Sequence, residues 1–97
     1  MMIRLRPLEE QVVVITGASS GIGLATAWRA AQRGARVVLC ARHETDVRAA
    51  AERIAQHGGK ARFAVADVAK EEELQRLAAT AVREFGGIDT WVNNAGV

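Results

Sequence analysis

The residues best suited to chemistry lie in a glycine-rich turn near the start of the chain. Between an apolar run, VVVI, and a helix-forming segment, the sequence places Gly17, Ser19, Ser20, Gly21 and Gly23. Glycines allow a positive φ and let another molecule approach the backbone closely. The two serines add hydroxyl donors. This composition indicates a turn at which a ligand contacts the main chain.

The position of the turn indicates that this ligand is an anion. The turn joins a predicted strand, residues 12 to 15, to a predicted helix, residues 22 to 33. The first N–H groups of a helix lack partners inside the helix and lie at the positive end of its dipole. We assign the sharp turn to Gly17, the approach of a diphosphate to Gly21, and close packing of helix on sheet to Gly23. A tight strand-to-helix connection without a ligand is the alternative.

A Walker A phosphate loop is excluded by the residues that follow the glycines. That motif requires Gly-Lys-Ser/Thr after its second glycine. Here Ile22 follows Gly21, and Leu24 follows Gly23.

Other reactive side chains do not form a second candidate site. Cys40 is the single cysteine, and its place in an apolar run predicts a small core residue. His43 and His57 are predicted to be exposed, and two such residues do not make a metal site. Trp28 and Trp91 are predicted to pack in the core. We assign no metal ligand and no catalytic residue.

The elements that would position the turn alternate regularly along the chain. The predicted strands span residues 12–15, 35–41, 62–68 and 88–94, and the predicted helices span residues 22–33, 44–56 and 71–85. This β-α-β-α-β-α-β order is typical of an α/β fold with a parallel sheet. With 97 residues, the chain is predicted to be a single domain, 1–97.

Composition narrows the classes of function. Hydrophobic residues make up 49% and charged residues 25%, as expected for a globular protein. The net charge is +2 without a basic block, and aromatic residues are 4%, so no nucleic-acid surface is indicated. We find neither a secretory signal nor an apolar run long enough for a membrane span. A cytoplasmic protein without a membrane partner is the expectation.

Three motifs together resemble a known family, the short-chain dehydrogenases/reductases. They are TGASSGIG at the first turn, DV at residues 67 and 68 after the third strand, and NNAG at residues 93 to 96 after the fourth. The resemblance extends from about residue 8 to residue 97. It implies a Rossmann-type doubly wound parallel sheet, of which this chain would supply the first four strands and be incomplete at its C-terminal end. In the family's strand order, the third and fourth strands would be the edges.

The resemblance also implies a cofactor site. The residues that would hold the cofactor pyrophosphate are Gly17, Ser19, Ser20, Gly21, Ile22 and Gly23. Asp67 and Val68 would flank the adenine, although Asp67 has a turn or capping role as its alternative. Asn94, Ala95 and Gly96 would line the adenosine ribose and hold the fourth strand. The family's usual Ser or Thr cap is here Ala69, so we expect the third helix to start less firmly.

The end of the second strand favours NADP(H) over NAD(H). NAD-binding folds usually place an Asp or Glu there for the ribose 2′-hydroxyl, about 20 residues beyond the turn. This chain has Ala41 followed by Arg42, whose guanidinium suits a 2′-phosphate. The alternative is a surface Arg42 paired with Glu44. Ser20 also stands where NADP-binding members often have a basic residue.

The family transfers hydride between nicotinamide and a carbonyl or alcohol, using a Ser and a Tyr-x-x-x-Lys motif. This sequence contains no tyrosine, and Lys60 and Lys70 do not fit the lysine of that motif. We therefore expect the cofactor-binding N-terminal part of a longer NADP(H)-dependent oxidoreductase, inactive as these 97 residues alone. Its expected partners are a small carbonyl or alcohol and further copies in a homo-oligomer. The alternative is a non-catalytic dinucleotide-binding module or sensor.

Overall fold

Strands and helices alternate in the predicted order throughout residues 6–94, which a computed structural model describes. A short 3-10 helix, Leu8–Glu10, comes first. The strands are β1 (Val12–Thr16), β2 (Arg36–Ala41), β3 (Lys60–Val65) and β4 (Thr90–Val92), and the helices are α1 (Gly21–Gln32), α2 (Glu44–Gln56) and α3 (Glu71–Phe85).

The strands form one parallel sheet in the order β3-β2-β1-β4. The chain steps outward from β1 to β2 to β3 and then returns past β1 to β4. Because parallel crossovers are right-handed, this reversal puts α1 and α2 on one face and α3 on the other. The Rossmann-type doubly wound sheet is therefore confirmed, and β3 and β4 are its edges, as the family's strand order implies.

Two apolar clusters fill the space between the sheet and the helices. All five residues of β1 are buried. Val13 and Ile15 pack with α1 and α2, whereas Val14 packs with α3. Successive side chains of a strand point to opposite faces, so a strand covered on both sides is apolar throughout. Trp28 adds to the first cluster and Trp91 to the second.

β3 and β4 differ most from the predicted bounds, whereas β1 and β2 each differ by one residue at one end. β3 begins at Lys60 and ends at Val65 because it pairs residue by residue with the whole of β2. β4 is limited to Thr90–Val92, the three residues that pair with β1. The predicted strands 62–68 and 88–94 were therefore wrong at these ends. Residues 67 and 68 consequently lie in the loop before α3.

The helices follow their predicted spans closely. α2 and α3 have the predicted bounds, and α1 is shifted by one residue. α3 ends at Gly86, which has the left-handed conformation (φ 86°) that commonly closes a helix. None of the helices in the described part of the chain is long and apolar enough to cross a membrane.

Candidate functional site

The turn between β1 and α1 depends on its glycines. Gly17 and Gly21 have φ values of 62° and 59°, a region that side chains with a Cβ rarely adopt. Gly23 is needed for a different reason, since a Cβ there would overlap the carbonyl oxygen of Gly17. The first turn of α1 therefore packs directly on the end of β1.

The start of α1 carries no negative charge of its own. Ser20 precedes the helix without a side-chain capping bond, and the first turn contains no acidic residue. A Cβ on Gly21 would meet no heavy atom within 4 Å, so the backbone faces open space. The positive end of the α1 dipole is thus available to an anion from outside the chain.

The residues that follow β4 are hydrogen-bonded to the turn between β1 and α1. The backbone N–H of Asn94 donates to Thr16 Oγ1 (2.9 Å), and Thr16 Oγ1 donates to Asn93 Oδ1 (3.0 Å). Asn94 Nδ2 donates to the Gly17 carbonyl (3.3 Å). Asn94 therefore holds Thr16 and Gly17, and Asn93 binds the Thr16 hydroxyl. The predicted ribose contacts Ala95 and Gly96 lie outside the described residues.

A cleft of about 600 Å³ opens over the carboxyl ends of β1, β2 and β3. It brings together six of the predicted residues: Gly17, Ser19, Ser20, Arg42, Asp67 and Val68. Gly21 and Ile22 are exposed at the start of α1, and Ile22 is 77% accessible to solvent. Gly23 and Asn94 do not line the cleft, but both contact the Gly17 carbonyl and so support the turn.

Arg42 provides positive charge at the cleft. Its side chain is exposed, and within residues 6–94 it forms no ion pair. The partner considered from the sequence, Glu44, instead pairs with Arg48 one turn further along α2. The neighbouring Ala41 leaves the end of β2 without a carboxylate.

The loop between β3 and α3 forms the opposite wall. Asp67 Oδ1 accepts a hydrogen bond from the Ala69 N–H (3.0 Å), and the Asp67 carbonyl accepts one from the Lys70 N–H (3.0 Å). The turn-forming role of Asp67 is therefore present in the structure. Its own N–H donates to Glu73 Oε1 (2.8 Å).

Three residues contribute to the candidate site without having been predicted from the sequence. His43 lines the cleft, and the signal was its position directly after Arg42. Thr16, to which the sequence assigned no role of its own, is the link between the turn and β4. The contact of Glu73 with Asp67 was not predicted, because it depends on the loop conformation. Among the described residues, no cluster of His, Cys, Asp or Glu could hold a metal ion.

Cys40 lies under the cleft as an inert side chain. It is 1% exposed, and its Sγ lies 3.8 Å from the Ala66 carbonyl oxygen. Burial raises the pKa of the thiol to about 11, with a smaller upward contribution from the Glu73 carboxylate; the hydrogen bond to Ala66 acts in the opposite direction. The thiol is neutral at physiological pH and is not a nucleophile there.

The whole arrangement fits an elongated, phosphate-bearing ligand. Gly17, Ser19 and Ser20 line one end of the cleft, Arg42 lines a second point, and the Asp67 loop lines a third side. The cleft volume falls within the range usual for small-molecule sites. Ligands of open α/β sheets bind at this edge, outside the carboxyl ends of the strands.

Comparison with known proteins identifies relatives over nearly the whole chain. The family model described as short chain dehydrogenase matches residues 11–97. The uncharacterized oxidoreductase YxnA of Bacillus subtilis is 50% identical over 95 residues, which are 98% of this chain and 27% of that protein. The chain spans 26% to 36% of the length of the curated relatives it matches.

Solved structures of reductases are also similar to this chain. L-sorbose reductase from Gluconobacter frateurii, complexed with NADPH and L-sorbose, is 41% identical with a TM-score of 0.86 over 90% of this chain and 34% of its own. An actinorhodin polyketide ketoreductase with NADPH is 38% identical with a TM-score of 0.87 over 93% of this chain and 34% of its own. The chain belongs to the short chain dehydrogenase family.

Proposed function

We propose that this chain is the cofactor-binding part of an NADP(H)-dependent oxidoreductase that acts on a small carbonyl or alcohol. Its family membership supports the reaction class. NADPH is the cofactor named for the sorbose reductase and the polyketide ketoreductase. The observation that carries the cofactor choice is Arg42, a cation without an ion pair among the described residues, at a strand end that has no carboxylate.

The proposed preference for NADP(H) has an electrostatic cause, because the two cofactors differ at the 2′ position of the adenosine ribose. A carboxylate at the end of β2 would bind a 2′-hydroxyl and repel a 2′-phosphate. Arg42 offers a guanidinium, which binds phosphate with charge-assisted hydrogen bonds. His43 lies beside it on the same cleft. The 2′-phosphate of NADP(H) is therefore the group assigned to Arg42.

The remaining cofactor contacts are carried over from the family resemblance. The pyrophosphate is assigned to the N–H groups at the start of α1 and to Gly17, Ser19, Ser20, Gly21, Ile22 and Gly23. The adenine is assigned to Asp67 and Val68, and the adenosine ribose to Asn94, Ala95 and Gly96. When bound, the nicotinamide gives or accepts a hydride. The residues of this chain bind and orient the cofactor for that step.

Two further properties belong to the same proposal. A cytoplasmic location is part of the proposal, and the single cysteine supports it, because free thiols are usual in a reducing compartment. Homo-oligomer formation is carried over from the family resemblance. The alternative of a non-catalytic binding module is less favoured, since the relatives compared above are named as an oxidoreductase and reductases.

Calorimetry with the protein at its full natural length tests the proposal. We expect the parent to bind NADPH more tightly than NADH. Arg42→Ala should weaken NADPH binding by about 1.5 to 3 kcal/mol, or roughly 10- to 150-fold, by removing charge-assisted bonds. NADH binding should change little, because NADH lacks the 2′-phosphate.

The matched control is Arg83→Ala, which removes an exposed cation of α3 that does not line the cleft. This variant should retain the parental NADPH affinity. An NADPH/NADH ratio that is the same in the parent and in Arg42→Ala would remove Arg42 from the 2′-phosphate site. Oxidation of NADPH in the presence of carbonyl compounds separates the oxidoreductase from a binding module.

A further inference from the structure

The loop that carries Asp67 and Val68 is fastened to α3 by one acidic side chain. Glu73 Oε1 accepts a hydrogen bond from the Asp67 N–H at 2.8 Å, in a partly buried setting. The Glu73 side chain is 21% exposed, whereas neighbouring Glu71 and Glu72 are exposed residues. Glu73 is thus set apart from the other two acids of the first turn by its contact with the loop.

This contact differs from the usual cap of a helix. In a capping box, a glutamate at the third helical position accepts a bond from the N–H of the cap residue. Here the cap residue is Lys70, which makes no side-chain capping bond, and Glu73 occupies the third helical position. Its carboxylate reaches past Lys70 to Asp67. The bond therefore restrains the loop at the cleft as well as the helix start.

Two cations flank the same carboxylate. Lys70 Nζ lies 3.7 Å from Glu73 Oε2, and Arg76 Nη2 lies 3.7 Å from Glu73 Oε1. Both cations are mostly exposed, with 61% and 72% of their side-chain surface accessible. Exposed ion pairs of this kind contribute little free energy. The short hydrogen bond to Asp67 is therefore the contact that matters for the loop.

The other hydrogen bonds of the loop do not involve the Asp67 N–H, which Glu73 binds. The Ala66 N–H donates to the Ala41 carbonyl (3.1 Å), which fixes the beginning of the loop to β2. The Ala69 N–H donates to Asp67 Oδ1, which is a bond within the loop itself. The Lys70 N–H donates to the Asp67 carbonyl (3.0 Å), which is a backbone bond to the residue before α3. Glu73 is the side chain of α3 that binds the Asp67 N–H between these contacts.

We propose that Glu73 is a positioning residue for the adenine-binding wall of the cleft. By holding the Asp67 N–H, it sets the placement of Asp67 and Val68, both of which line the cleft. Glu73 acts through the loop and does not contact the cofactor. The inference rests on the proposed function, because it takes the assignment of adenine to this wall. Binding sites are more exact when their contact residues are held by a supporting layer of hydrogen bonds.

Two probes separate the adenine wall from the phosphate turn. 2′,5′-ADP carries the adenine, whereas inorganic pyrophosphate tests only the start of α1. In the protein at its full natural length, Glu73→Ala should weaken 2′,5′-ADP binding about tenfold, by loss of a charge-assisted bond that orders the wall. Its affinity for pyrophosphate, followed by NMR titration, should remain parental. Generalised unfolding would reduce both affinities.

Two further variants complete the comparison. Glu73→Gln keeps a carbonyl oxygen that can accept the Asp67 N–H, so it should bind 2′,5′-ADP within about threefold of the parent. Glu72→Ala removes the same charge from the same turn but no described hydrogen bond to the loop, and it should bind as the parent does. Hydrogen exchange at the Asp67 amide should be faster in Glu73→Ala than in Glu72→Ala.

The outcomes distinguish this inference from the proposed function. A parent that binds neither NADPH nor 2′,5′-ADP would overturn both. A parent that binds 2′,5′-ADP, together with a Glu73→Ala variant of equal affinity, would overturn the role of Glu73 alone. Equal losses in Glu73→Ala and Glu72→Ala would show an effect of charge on the helix. Loss of pyrophosphate binding along with 2′,5′-ADP binding would show general destabilisation, which also contradicts a positioning role.

Discussion

α1 and α3 both begin after the carboxyl end of a parallel strand, and the first N–H groups of each helix lie at the positive end of its dipole. α3 begins with three glutamates, Glu71, Glu72 and Glu73, whose charges offset the positive end of the dipole. α1 begins with Gly21 and has neither an acidic residue in its first turn nor a side-chain cap. The two helix starts therefore have opposite electrostatic characters.

This difference supports the assignment of the proposed phosphate site to the start of α1. α2 resembles α3, since Glu44 and Asp46 lie in its first turn. At both helices the chain supplies its own negative charge. α1 has no such charge in its first turn, and in the proposed function a cofactor pyrophosphate would supply it.

The supports of the two helix starts also differ. The α1 turn is held by residues far away in the sequence, through Thr16 and Asn94. The α3 loop is held by Glu73, six residues from its partner Asp67. The turn before α1 thus depends on the pairing of β4 with β1, whereas the loop before α3 depends on its own helix.

The largest expected effect comes from closing the α1 turn. Gly21→Val places a branched side chain in open space at the start of α1, where the phosphates are assigned. We expect NADPH affinity to fall by more than about 100-fold, or about 3 kcal/mol. The positive φ adds a loss of about 1 to 2 kcal/mol in the free energy of unfolding. Calorimetry and urea denaturation measure the two effects separately.

Gly58→Val is the matched control for this change. Gly58 has φ 88°, and a Cβ there would also meet nothing within 4 Å, but it lies after α2 and away from the cleft. It should lose similar stability and keep the parental NADPH affinity. Parental affinity in Gly21→Val would remove the phosphates from this turn.

A smaller effect is expected from cutting the distant support of the α1 turn. Thr16→Val removes the hydroxyl that accepts the Asn94 N–H and donates to Asn93. Because Thr16 is fully buried, the free energy of unfolding should fall by about 1 to 3 kcal/mol. Urea denaturation provides the measurement.

Thr26→Val serves as the control for loss of a threonine hydroxyl. Thr26 Oγ1 donates to the Ile22 carbonyl one turn earlier in α1, in an exposed setting. Its replacement should change stability by less than about 0.5 kcal/mol. Equal losses in the two variants would contradict a special role of the link between β1 and β4.

The smallest effect is expected from a substitution that adds an acid to the start of α1, as at the start of α3. Ile22→Glu puts an acid into the first turn at a side chain that is 77% exposed, so little packing is lost. Without ligand, the protein should become more stable by about 0.3 to 1 kcal/mol. NADPH affinity should fall, because the new carboxylate repels the phosphates. Thermal unfolding with and without NADPH reports both changes.

Ala25→Glu controls for the added charge. Ala25 is exposed and lies beyond the first turn of α1, where the dipole effect has declined. It should change both stability and affinity less than Ile22→Glu. An Ile22→Glu variant that is more stable and still binds NADPH as the parent does would mean that the start of α1 is not the phosphate site.

Local sequence signals predicted the helices better than the ends of the strands. Acidic residues at the start and Gly86 at the end delimit α3, and these signals act within the helix itself. The ends of β3 depend on its partner, because the pairing of Arg36 with Lys60 and of Ala41 with Val65 fixes them. This register cannot be predicted from residues that are neighbours in the sequence, because it depends on a distant strand.

The candidate site divides in a similar way. The glycine turn and Arg42 follow from residue types at the ends of predicted strands, and the structure brings both to one cleft. The bond between Asp67 and Glu73 requires a loop conformation that no motif specifies. The pairing of Glu44 with Arg48 also depends on side-chain orientation on α2, since the sequence allowed Arg42 as the partner.

The distribution of the two tryptophans gives the protein separate optical reporters. Trp28 packs into the cluster beneath α1 and α2, where its ring meets His57 edge-on at 5.2 Å between centroids. Trp91 packs into the cluster beneath α3, across the sheet. Fluorescence from Trp28 therefore records the melting of one layer, and fluorescence from Trp91 records the melting of the other. Variants that each retain a single indole would time the loss of the two layers independently during unfolding.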